Sequence, residues 1–471
     1  MFNNIESLRF VSSELMLLGM SLILLFLSTF KVPQKFFWLL AYLSVSASAF
    51  LLPTDIYEPQ QLFFGLLIHD QLSIVFRFLI LSITAVVILL SFKSGEEGSD
   101  RGEYFYFLLT AALSMLLAVS TNNLLMIYLT LEAVSILSYL LAGYNKRDMF
   151  SSESGMKYFI FGAFSTGVTL YGISLAYGLF GTLDITAMNV HAISPFALIV
   201  VSLLILVGFG FKCSLVPFHM WTPDVYQGAP TAVAAFLSVA PKAMGFVFIL
   251  RIFLSQFKPL ADPLWALLAG FIALITMTIG NLTALKQENI KRLLAYSTIA
   301  QAGYIFLGFS IGTKEGITSS LFYIVIYTVM NLGAFAGVIA LLNSSKGEKI
   351  SDLSGLYKKS PLASVALAVS LLSLAGIPPF AGFLAKFFIL KALISASDLS
   401  FALVMVLNSV VAMYYYLNVL KTIFLTEGVS SDAPAVNSPA IFLVLVLSVI
   451  GNLFLGLYPQ VILNWLSGVS F

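Results

Sequence analysis

Charge is what this sequence has least of. Only 10% of the 471 residues are charged, 59% are hydrophobic, and the mean hydropathy is +0.99. Soluble domains carry about 25% charged residues, so the composition excludes an ordinary soluble protein. The longest polar stretches, 53–69, 93–103 and 344–361, are too short to fold as separate domains. We therefore expect one polytopic membrane domain covering 1–471.

Cysteine and the common cofactor motifs are also scarce. Cys213 is the single cysteine, which excludes an internal disulfide and a thiolate-held iron–sulfur cluster. The chain has no P-loop and no HExxH motif, and Gly208-Phe-Gly210 lacks the third glycine of a dinucleotide fingerprint. The net charge of +2 is not gathered into a basic, aromatic loop. The sequence thus predicts no metal, no cofactor of its own and no nucleic-acid partner.

Long apolar runs are what the chain does contain. About 20 residues cross the ~30 Å hydrocarbon core as a helix, and the runs recur at this length throughout, which predicts an all-α membrane protein of about fourteen transmembrane helices. The first run is not a cleaved signal peptide, because Lys31-Val32-Pro33 follows it instead of a small-residue cleavage site. The predicted helices run over 13–30, 36–52, 70–92, 104–120, 122–144, 156–181, 195–215, 231–252, 263–284, 293–311, 317–343, 362–396, 399–425 and 438–466.

Lysine and arginine in the loops indicate the orientation, since positively charged loops stay in the cytoplasm. One side of the predicted topology has fifteen: Lys31, Lys35, Lys93, Arg101, Lys146, Arg147, Lys157, Lys286, Lys291, Arg292, Lys346, Lys349, Lys358, Lys359 and Lys421. The other side, which holds both termini, has four: Arg9, Arg251, Lys258 and Lys314. We expect both termini on the non-cytoplasmic side.

Four charged residues fall inside predicted helices: Glu132, Lys212, Lys242 and Lys386. Glu132 and Lys242 lie near the middle of their helices, Lys212 ends a long apolar run, and Lys386 follows a proline break. A charge at this depth costs ~2.5 to 3.5 kcal/mol, so such residues usually serve a function. The alternative is a structural ion pair or a side chain that reaches the interface, and we favour it for Glu14, Arg77 and Lys391, nearer helix ends.

The excess of lysine over carboxylate points to proton transfer. A lysine without a partner in a medium of low dielectric tends to lose its proton, whereas an approaching carboxylate favours the ammonium. A Glu132–Lys212 pair that opens and closes would therefore switch the protonation of Lys212. His219 is a possible further relay, or else a loop residue held by hydrogen bonds.

Prolines interrupt these same helices. Each proline leaves the carbonyl four residues upstream without its helical donor. The carbonyls concerned are Cys213 for Pro217, Leu237 for Pro241, and Leu374 and Ala375 for Pro378 and Pro379. Free carbonyls at membrane depth need water or protein donors, so breaks beside lysines predict hydrated half-channels. A kink repaired by a neighbouring hydroxyl is the alternative.

Two breaks share a pattern, Val216-Pro217-Phe218 in the seventh helix and Pro378-Pro379-Phe380 in the twelfth. A repeat of five helices must insert upside down relative to its twin. We therefore predict two inverted five-helix repeats, 104–253 and 263–426, with discontinuous helices 7 and 12. Three N-terminal helices (1–103) precede the repeats and a C-terminal helix (438–471) follows them.

Three long motifs resemble a known family. They are KCSLVPFHMWTPDVYQGAPTAVAAFLSVAPKA at 212–243, QENIKRLLAYSTIAQAGY at 287–304 and LAGIPPFAGFLAK at 374–386. They are similar to subunit N of proton-pumping NADH:quinone oxidoreductase, respiratory complex I, an antiporter-like subunit. The likeness extends from the fourth to the thirteenth predicted helix. One departure is Ala232, where the family pattern usually has proline; it lies away from the charged residues.

The resemblance implies a non-redox subunit of a translocase in the membrane arm, beside sister antiporter-like subunits in a bacterial plasma membrane. NADH, FMN, iron–sulfur clusters and quinone would then belong to partner subunits. On the family pattern Glu132 is the helix-5 carboxylate and Lys212 its partner. Lys242 would be the central relay, and Lys386 the lysine of the second broken helix. We expect proton uptake from the cytoplasm to Lys212 or Lys242, lateral transfer to Lys386, and release on the side of the termini.

Other functions remain compatible with these residues. One is a subunit of a multisubunit cation/proton antiporter; another is a related complex that takes electrons from ferredoxin, a deazaflavin or hydrogen. A third is a structural membrane scaffold whose buried charges hold helices together.

Overall fold

A computed structural model describes residues 4–30, 32–54, 59–92, 102–190, 193–256, 263–345, 347–427 and 438–469. Several basic residues used to predict the orientation lie outside these ranges: Lys31, Lys93, Arg101, Lys258 and Lys346.

The N-terminal part contains α1 (Asn4–Phe10), α2 (Ser12–Ser28), α3 (Gln34–Phe50) and α4 (Gln71–Ser91). A small antiparallel sheet precedes α4, with β1 (Gln60–Leu62) paired to β2 (Leu67–His69). The sequence predicts only a loop here, because strands of three residues are too short to show an alternating pattern. Asp70 begins α4 through a capping box with Ser73.

The next helices are α5 (Gly102–Val119), α6 (Leu124–Ala142), α7 (Met149–Phe180), α8 (Pro195–Cys213), α9 (Trp221–Gly228) and α10 (Thr231–Ile249). A π-helical segment, Leu250–Gln256, extends α10. In it Arg251 donates to both carboxylate oxygens of Asp70, each at 2.9 Å. This buried ion pair fastens the end of α10 to the start of α4.

The second half contains α11 (Pro263–Ala284), α12 (Ile290–Ser310), α13 (Lys314–Leu342), α14 (Pro361–Ala375), α15 (Ala381–Ser395) and α16 (Leu399–Leu425). The chain then forms α17 (Pro439–Leu457) and α18 (Gln460–Leu466). Eleven helices in the described ranges are long and apolar enough to cross a bilayer. The fold is therefore that of a mostly helical, multi-pass membrane protein.

Burial separates central from peripheral helices. Every residue of α10 is buried, and nearly all of α12 and α13 are, so these helices form the core. Large apolar side chains on α6, α7 and α16 face outward. Lipid is as apolar as these side chains, so an outward hydrophobic surface is the stable arrangement in a membrane.

The broken helices lie where the prolines predict them. Helix α8 ends at Cys213, after which Ser214 is left-handed (φ 58°). Helix α14 ends at Ala375, after which Gly376 is left-handed (φ +87°), a conformation that glycine adopts without strain. The run predicted as one helix over 362–396 is thus two helices. The short helix α9 lies in a stretch predicted as a loop.

Two loops have the same construction in different halves of the chain. Asn123 caps α6 with its side chain and pairs through its backbone with Asp184. Asn289 caps α12 in the same way and pairs with Lys349. Each loop therefore ties the start of one long helix to a distant connecting segment.

Candidate functional site

Glu132 lies on the outer face of α6. Its side chain is half-buried between Leu129 and Ile136, which are 52% and 54% exposed. Three or four residues separate these positions, so they share one helix face. The carboxylate is thus near the middle of an apolar helix and close to the protein surface.

Lys212 is buried without a polar partner. It is 1% exposed, and its Nζ has no hydrogen bond to any residue that the structure describes. Three aromatic rings lie around it instead, with centroids at 5.9 Å (Tyr139), 5.5 Å (Tyr158) and 5.8 Å (Phe211). Glu132 acts on Lys212 electrostatically but makes no hydrogen bond to its Nζ. The pair that the sequence predicts is therefore open in this structure.

Lys242 reaches the break after α8. Its Nζ donates to the Cys213 carbonyl at 3.0 Å and to Ser214 Oγ at 2.6 Å. The Cys213 carbonyl is the one that Pro217 deprives of a helical donor. Thr222 Oγ1 donates to the same Ser214 hydroxyl oxygen at 2.8 Å. The central lysine therefore sits on the first helix break.

Lys386 occupies the second break in a similar way. Its Nζ donates to the Ala375 carbonyl at 3.0 Å and lies 4.7 Å from the ring centroid of Tyr304. Gln301 Nε2 donates to the neighbouring Leu374 carbonyl at 3.1 Å. Both carbonyls are those predicted from Pro378 and Pro379, and side chains supply their donors.

Pro241 behaves somewhat differently. The carbonyl it deprives of a helical donor is that of Leu237, and the side-chain donor reaches the next carbonyl along the helix. Tyr327 Oη donates to the Ser238 carbonyl at 3.1 Å, and Asn331 Nδ2 donates to Ser238 Oγ at 2.5 Å. Ser238 lies one turn before Lys242, so polar side chains from α13 gather beside the central lysine.

A chain of polar side chains continues from there to Lys386. Tyr323 lies one turn before Tyr327 on α13, and its hydroxyl donates to Gln301 Oε1 at 2.5 Å. Gln301 also donates to the Tyr416 hydroxyl at 3.3 Å, which lies 2.5 Å from Ser297 Oγ. The centre of the protein between the two helix breaks is therefore polar.

Sequence reasoning missed this network, although a signal was present. Tyr323, Tyr327 and Asn331 recur at four-residue spacing within an apolar helix, which places three polar groups on one face. Gln301 and Ser297 show the same spacing on α12. Uncharged polar side chains cost less than charges inside a membrane, so they are weaker indicators of function in an apolar run.

His219 is buried in the turn between α8 and α9. Its Nδ1 has no hydrogen-bond partner in the described part of the chain, and it lies within electrostatic range of Lys242. The structure therefore brings His219 and Lys242 to the same break. A relay role for His219 stays a prediction.

An ion cluster joins α7, α9 and α12 on the side of the protein where the loops are rich in lysine and arginine. Asp224 on α9 accepts hydrogen bonds at 2.7 Å from Lys157 of α7 and at 2.7 Å from Arg292 of α12, beside a cavity of about 260 Å³. Burial alone would raise the pKa of Asp224, but these two hydrogen bonds hold it below the ordinary carboxyl value. The sequence could not reveal this cluster, because its members come from distant segments.

No group of three or more His, Cys, Asp or Glu side chains in the described ranges is arranged to hold a metal ion. The chemically capable groups in the membrane interior are instead the buried amines, the hydroxyls and the half-buried carboxylate of Glu132. Amines and hydroxyls both accept and donate protons. The arrangement suits proton transfer between side chains, with water as the natural connecting link.

The fold and this site define a class: a polytopic membrane protein of the antiporter-like type, with lysines seated at helix breaks. The transmembrane family described as "NADH:quinone oxidoreductase/Mrp antiporter, TM" matches residues 121–412. NADH-quinone oxidoreductase subunit N 2 of Sorangium cellulosum is 41% identical over 457 residues, covering 90% of each chain. Subunit N of Trichlorobacter lovleyi is 40% identical over 474 residues, covering 98% of this chain and 96% of the relative.

A solved structure agrees with these relatives. A chain of respiratory complex I from Thermus thermophilus with bound aureothin has a TM-score of 0.81 and 31% identity, and covers 96% of this chain and 98% of its own length. The chain therefore belongs to the NADH:quinone oxidoreductase/Mrp antiporter family, and within it to the subunit N proteins of NADH-quinone oxidoreductase.

Proposed function

We propose that this chain translocates protons in the membrane arm of NADH:quinone oxidoreductase and carries no redox group itself. The observation that carries the proposal is the position of Lys242 and Lys386, each seated on a carbonyl at a helix break. A polar network lies between these lysines. NADH, FMN, iron–sulfur clusters and quinone belong to partner subunits. The proposal assigns Glu132, Lys212, Lys242 and Lys386 to proton translocation, with His219 as a possible relay.

The proposed path begins on the cytoplasmic side and enters at Lys212 or Lys242. It continues sideways past Ser238 and the α13 tyrosines to Lys386, and ends on the side of the termini. Hydroxyl groups pass a proton by accepting one and donating another. The amide of Gln301 orients Tyr323 without itself carrying a proton, so water must complete the path at this point.

Glu132 and Lys212 form the proposed switch. The open arrangement leaves Lys212 among aromatic rings, and closure would bring it to the carboxylate, which favours the ammonium form. Redox chemistry in partner subunits would change the balance between the two arrangements. In the closed arrangement the carboxylate keeps the proton on Lys212. On opening, the ammonium first lies among the rings and then releases its proton toward Lys242.

Fourteen membrane crossings in two inverted repeats fit the helix order, if each discontinuous helix counts as one crossing. The repeats would be 104–253 and 263–426, after three N-terminal helices in 1–103 and before a C-terminal helix in 438–471. The matched loops at Asn123 and Asn289 support this division. So do the left-handed residues that end α8 and α14.

The outer face of α6 suggests where a partner subunit packs. A carboxylate at mid-membrane is costly in contact with lipid, and the half-buried Glu132 needs a protein cover there. We infer that another membrane-arm subunit, such as a sister antiporter-like subunit, covers this face. The proposed location is a bacterial plasma membrane with both termini on the non-cytoplasmic side.

The test is to purify the complex and to replace each member of the proposed switch. Lys212→Met and Glu132→Gln should reduce NADH-driven acidification of membrane vesicles while the flavin and iron–sulfur subunits still co-purify. Normal acidification in both variants would contradict the proposal. Failure to co-purify with a flavin subunit in the wild type would favour the cation/proton antiporter instead. A scaffold role predicts the reverse pattern, with lost assembly and unchanged transport per complex.

A further inference from the structure

The surroundings of Lys212 are aromatic in a specific way. Tyr139 comes from α6, the helix of Glu132, and Tyr158 comes from α7. Their ring centroids lie 4.8 Å apart with an interplanar angle of 77°, an edge-to-face contact. Both rings lie within 6 Å of the Lys212 Nζ, the range of cation–π attraction. The rings therefore offer stabilisation to an ammonium that has no hydrogen bond to a residue in the described ranges.

The rings of Tyr139 and Tyr158, and not their hydroxyl groups, are suited to stabilise the Lys212 ammonium. Ser135 and Ser138 lie beside the Tyr139 and Tyr158 hydroxyls, respectively, but neither tyrosine hydroxyl has a well-aligned hydrogen bond to a residue that the structure describes. The nearby Ser135 and Ser138 hydroxyls donate to carbonyls of their own helix, each at 2.6 Å. A hydroxyl relay would require aligned partners. The Tyr139 ring instead forms a first aromatic wall beside Lys212, and the Tyr158 ring forms a second.

The second wall, the Tyr158 ring, is held in place by Trp221. Trp221 stacks on Tyr158 with centroids 4.2 Å apart and an interplanar angle of 10°. Trp221 Nε1 also donates to the Phe211 carbonyl at 3.0 Å, and both tryptophan and tyrosine are fully buried. Tyr158 is thereby held against the broken helix that carries Lys212.

The first wall depends on a glycine. Gly162 lies one turn after Tyr158 on α7, and a Cβ at this position would overlap the Tyr139 hydroxyl oxygen and lie 2.6 Å from Tyr139 Cζ. Any larger residue must displace the Tyr139 ring from its place near Lys212. Gly167, on the same helix, has no heavy atom within 4 Å of an added Cβ.

We propose that Tyr139 and Tyr158 are positioning residues that hold the Lys212 ammonium in the open arrangement, and that Gly162 is the slot that seats Tyr139. This rests on the proposed function, since it concerns the open state of the Glu132–Lys212 switch. Each ring favours the open over the closed arrangement by roughly 5- to 30-fold, the range of partly to fully desolvated cation–π contacts. Without a ring, Lys212 moves to Glu132 and the switch stays closed.

The experiment compares four variants in the assembled complex: Gly162→Ala, Gly167→Ala, Tyr139→Leu and Tyr139→Phe. Proton pumping per NADH should fall at least about threefold in Gly162→Ala and Tyr139→Leu, because both remove the ring from Lys212. It should be normal in Tyr139→Phe, which keeps the ring, and in Gly167→Ala, which fills open space. The assay is acidification of inside-out vesicles divided by the NADH oxidised in the same sample, with the amount of assembled complex measured in parallel.

A chemical readout separates positioning from general damage. A small hydrophobic radiolabelled carbodiimide that partitions from the bilayer into the subunit interface reacts with Glu132 more readily when the carboxylate is not paired with an ammonium. Labelling of Glu132 should therefore fall in Gly162→Ala and Tyr139→Leu and stay normal in the other two variants. A merely structural role for Tyr139 would leave the labelling unchanged.

Three results would overturn the inference: normal pumping in Tyr139→Leu, equal loss in Tyr139→Phe and Tyr139→Leu, or equal loss in Gly162→Ala and Gly167→Ala. If Tyr139→Leu does not assemble, Gly162→Ala decides. Lys212→Met is the reference. Normal pumping in Lys212→Met refutes the proposed function itself, whereas loss there with normal pumping in Tyr139→Leu and Gly162→Ala refutes only the role of the rings.

Discussion

Replacement of Gln301 by leucine tests whether the polar network connects the two halves. Gln301 is fully buried and makes three hydrogen bonds: it accepts from Tyr323 at 2.5 Å and donates to the Leu374 carbonyl at 3.1 Å and to Tyr416 at 3.3 Å. Leucine has a similar volume and can make none of them. The substitution thus removes polar contacts with little change in packing.

The expected loss of folding free energy is small, so an effect of the substitution on proton pumping can be distinguished from an effect on folding. Side-chain hydrogen bonds within membrane proteins average about 0.6 kcal/mol, so three lost bonds cost about 2 kcal/mol. A large helical membrane protein in an assembled complex should tolerate this loss. Lateral proton transfer should not, because Tyr323 loses the amide that orients its hydroxyl.

The assay measures vesicle acidification and NADH oxidation in parallel. We expect Gln301→Leu to lower proton pumping severalfold, with normal amounts of assembled complex. Gln301→Glu, which keeps an acceptor for Tyr323, should retain more pumping than Gln301→Leu. Gln287→Leu, in the segment between α11 and α12 and outside the network, is the control. Normal pumping in Gln301→Leu would refute the reasoning that this network carries protons.

Two further predictions concern the first half of the chain. Ser214→Ala removes the hydroxyl oxygen that accepts from Lys242 Nζ at 2.6 Å, and should slow vesicle acidification severalfold without loss of assembly; an unchanged rate would mean that this contact is dispensable. Hydrogen bonds from Lys157 and Arg292 outweigh burial and hold the pKa of Asp224 below its ordinary value of 3.8. Their stabilisation is therefore complete above pH 3.8 and is lost as the pH falls through the lowered pKa. The melting temperature of the wild type should exceed that of Asp224→Asn above this pH and approach it in stronger acid; a constant difference would contradict the ion-pair account.

Local chemistry explains what the sequence could predict about the site. A proline always removes the donor for the carbonyl four residues upstream, so Cys213, Leu374 and Ala375 could be named without a structure. Lys242 and Lys386 supply the donors for two of these carbonyls in the fold. The breaks and the lysines beside them were thus readable from the order of residues alone.

Contacts between distant helices could not be predicted from the sequence. The sequence predicts a Glu132–Lys212 pair that opens and closes. Which arrangement the fold adopts depends on how α6, α7 and α8 rotate against one another, and the structure has the open one. The ring of Tyr139 lies near Lys212 only because Gly162 on another helix leaves space for it. Such a slot has no signature beyond a glycine in an apolar run.

The helices and strands show the same difference between features that the sequence predicts and features that it does not. Long apolar helices were predicted because burial in lipid requires a continuous run. The sheet formed by β1 and β2 and the helix α9 were not predicted, since both are too short to impose a periodic pattern. The Asp224 cluster was missed because its partners lie 67 and 68 residues away along the chain.

The most direct test of proton translocation by this chain is the number of protons moved per NADH oxidised in Lys386→Met, compared with Lys391→Met. Lys386 is buried at the second break, whereas Lys391 is exposed on the same helix, so the two substitutions remove the same charge from different surroundings. Purified, fully assembled complexes in sealed liposomes with a pH-sensitive dye provide the measurement. The account predicts a lower ratio in Lys386→Met and a normal ratio in Lys391→Met; a normal ratio in both would contradict it.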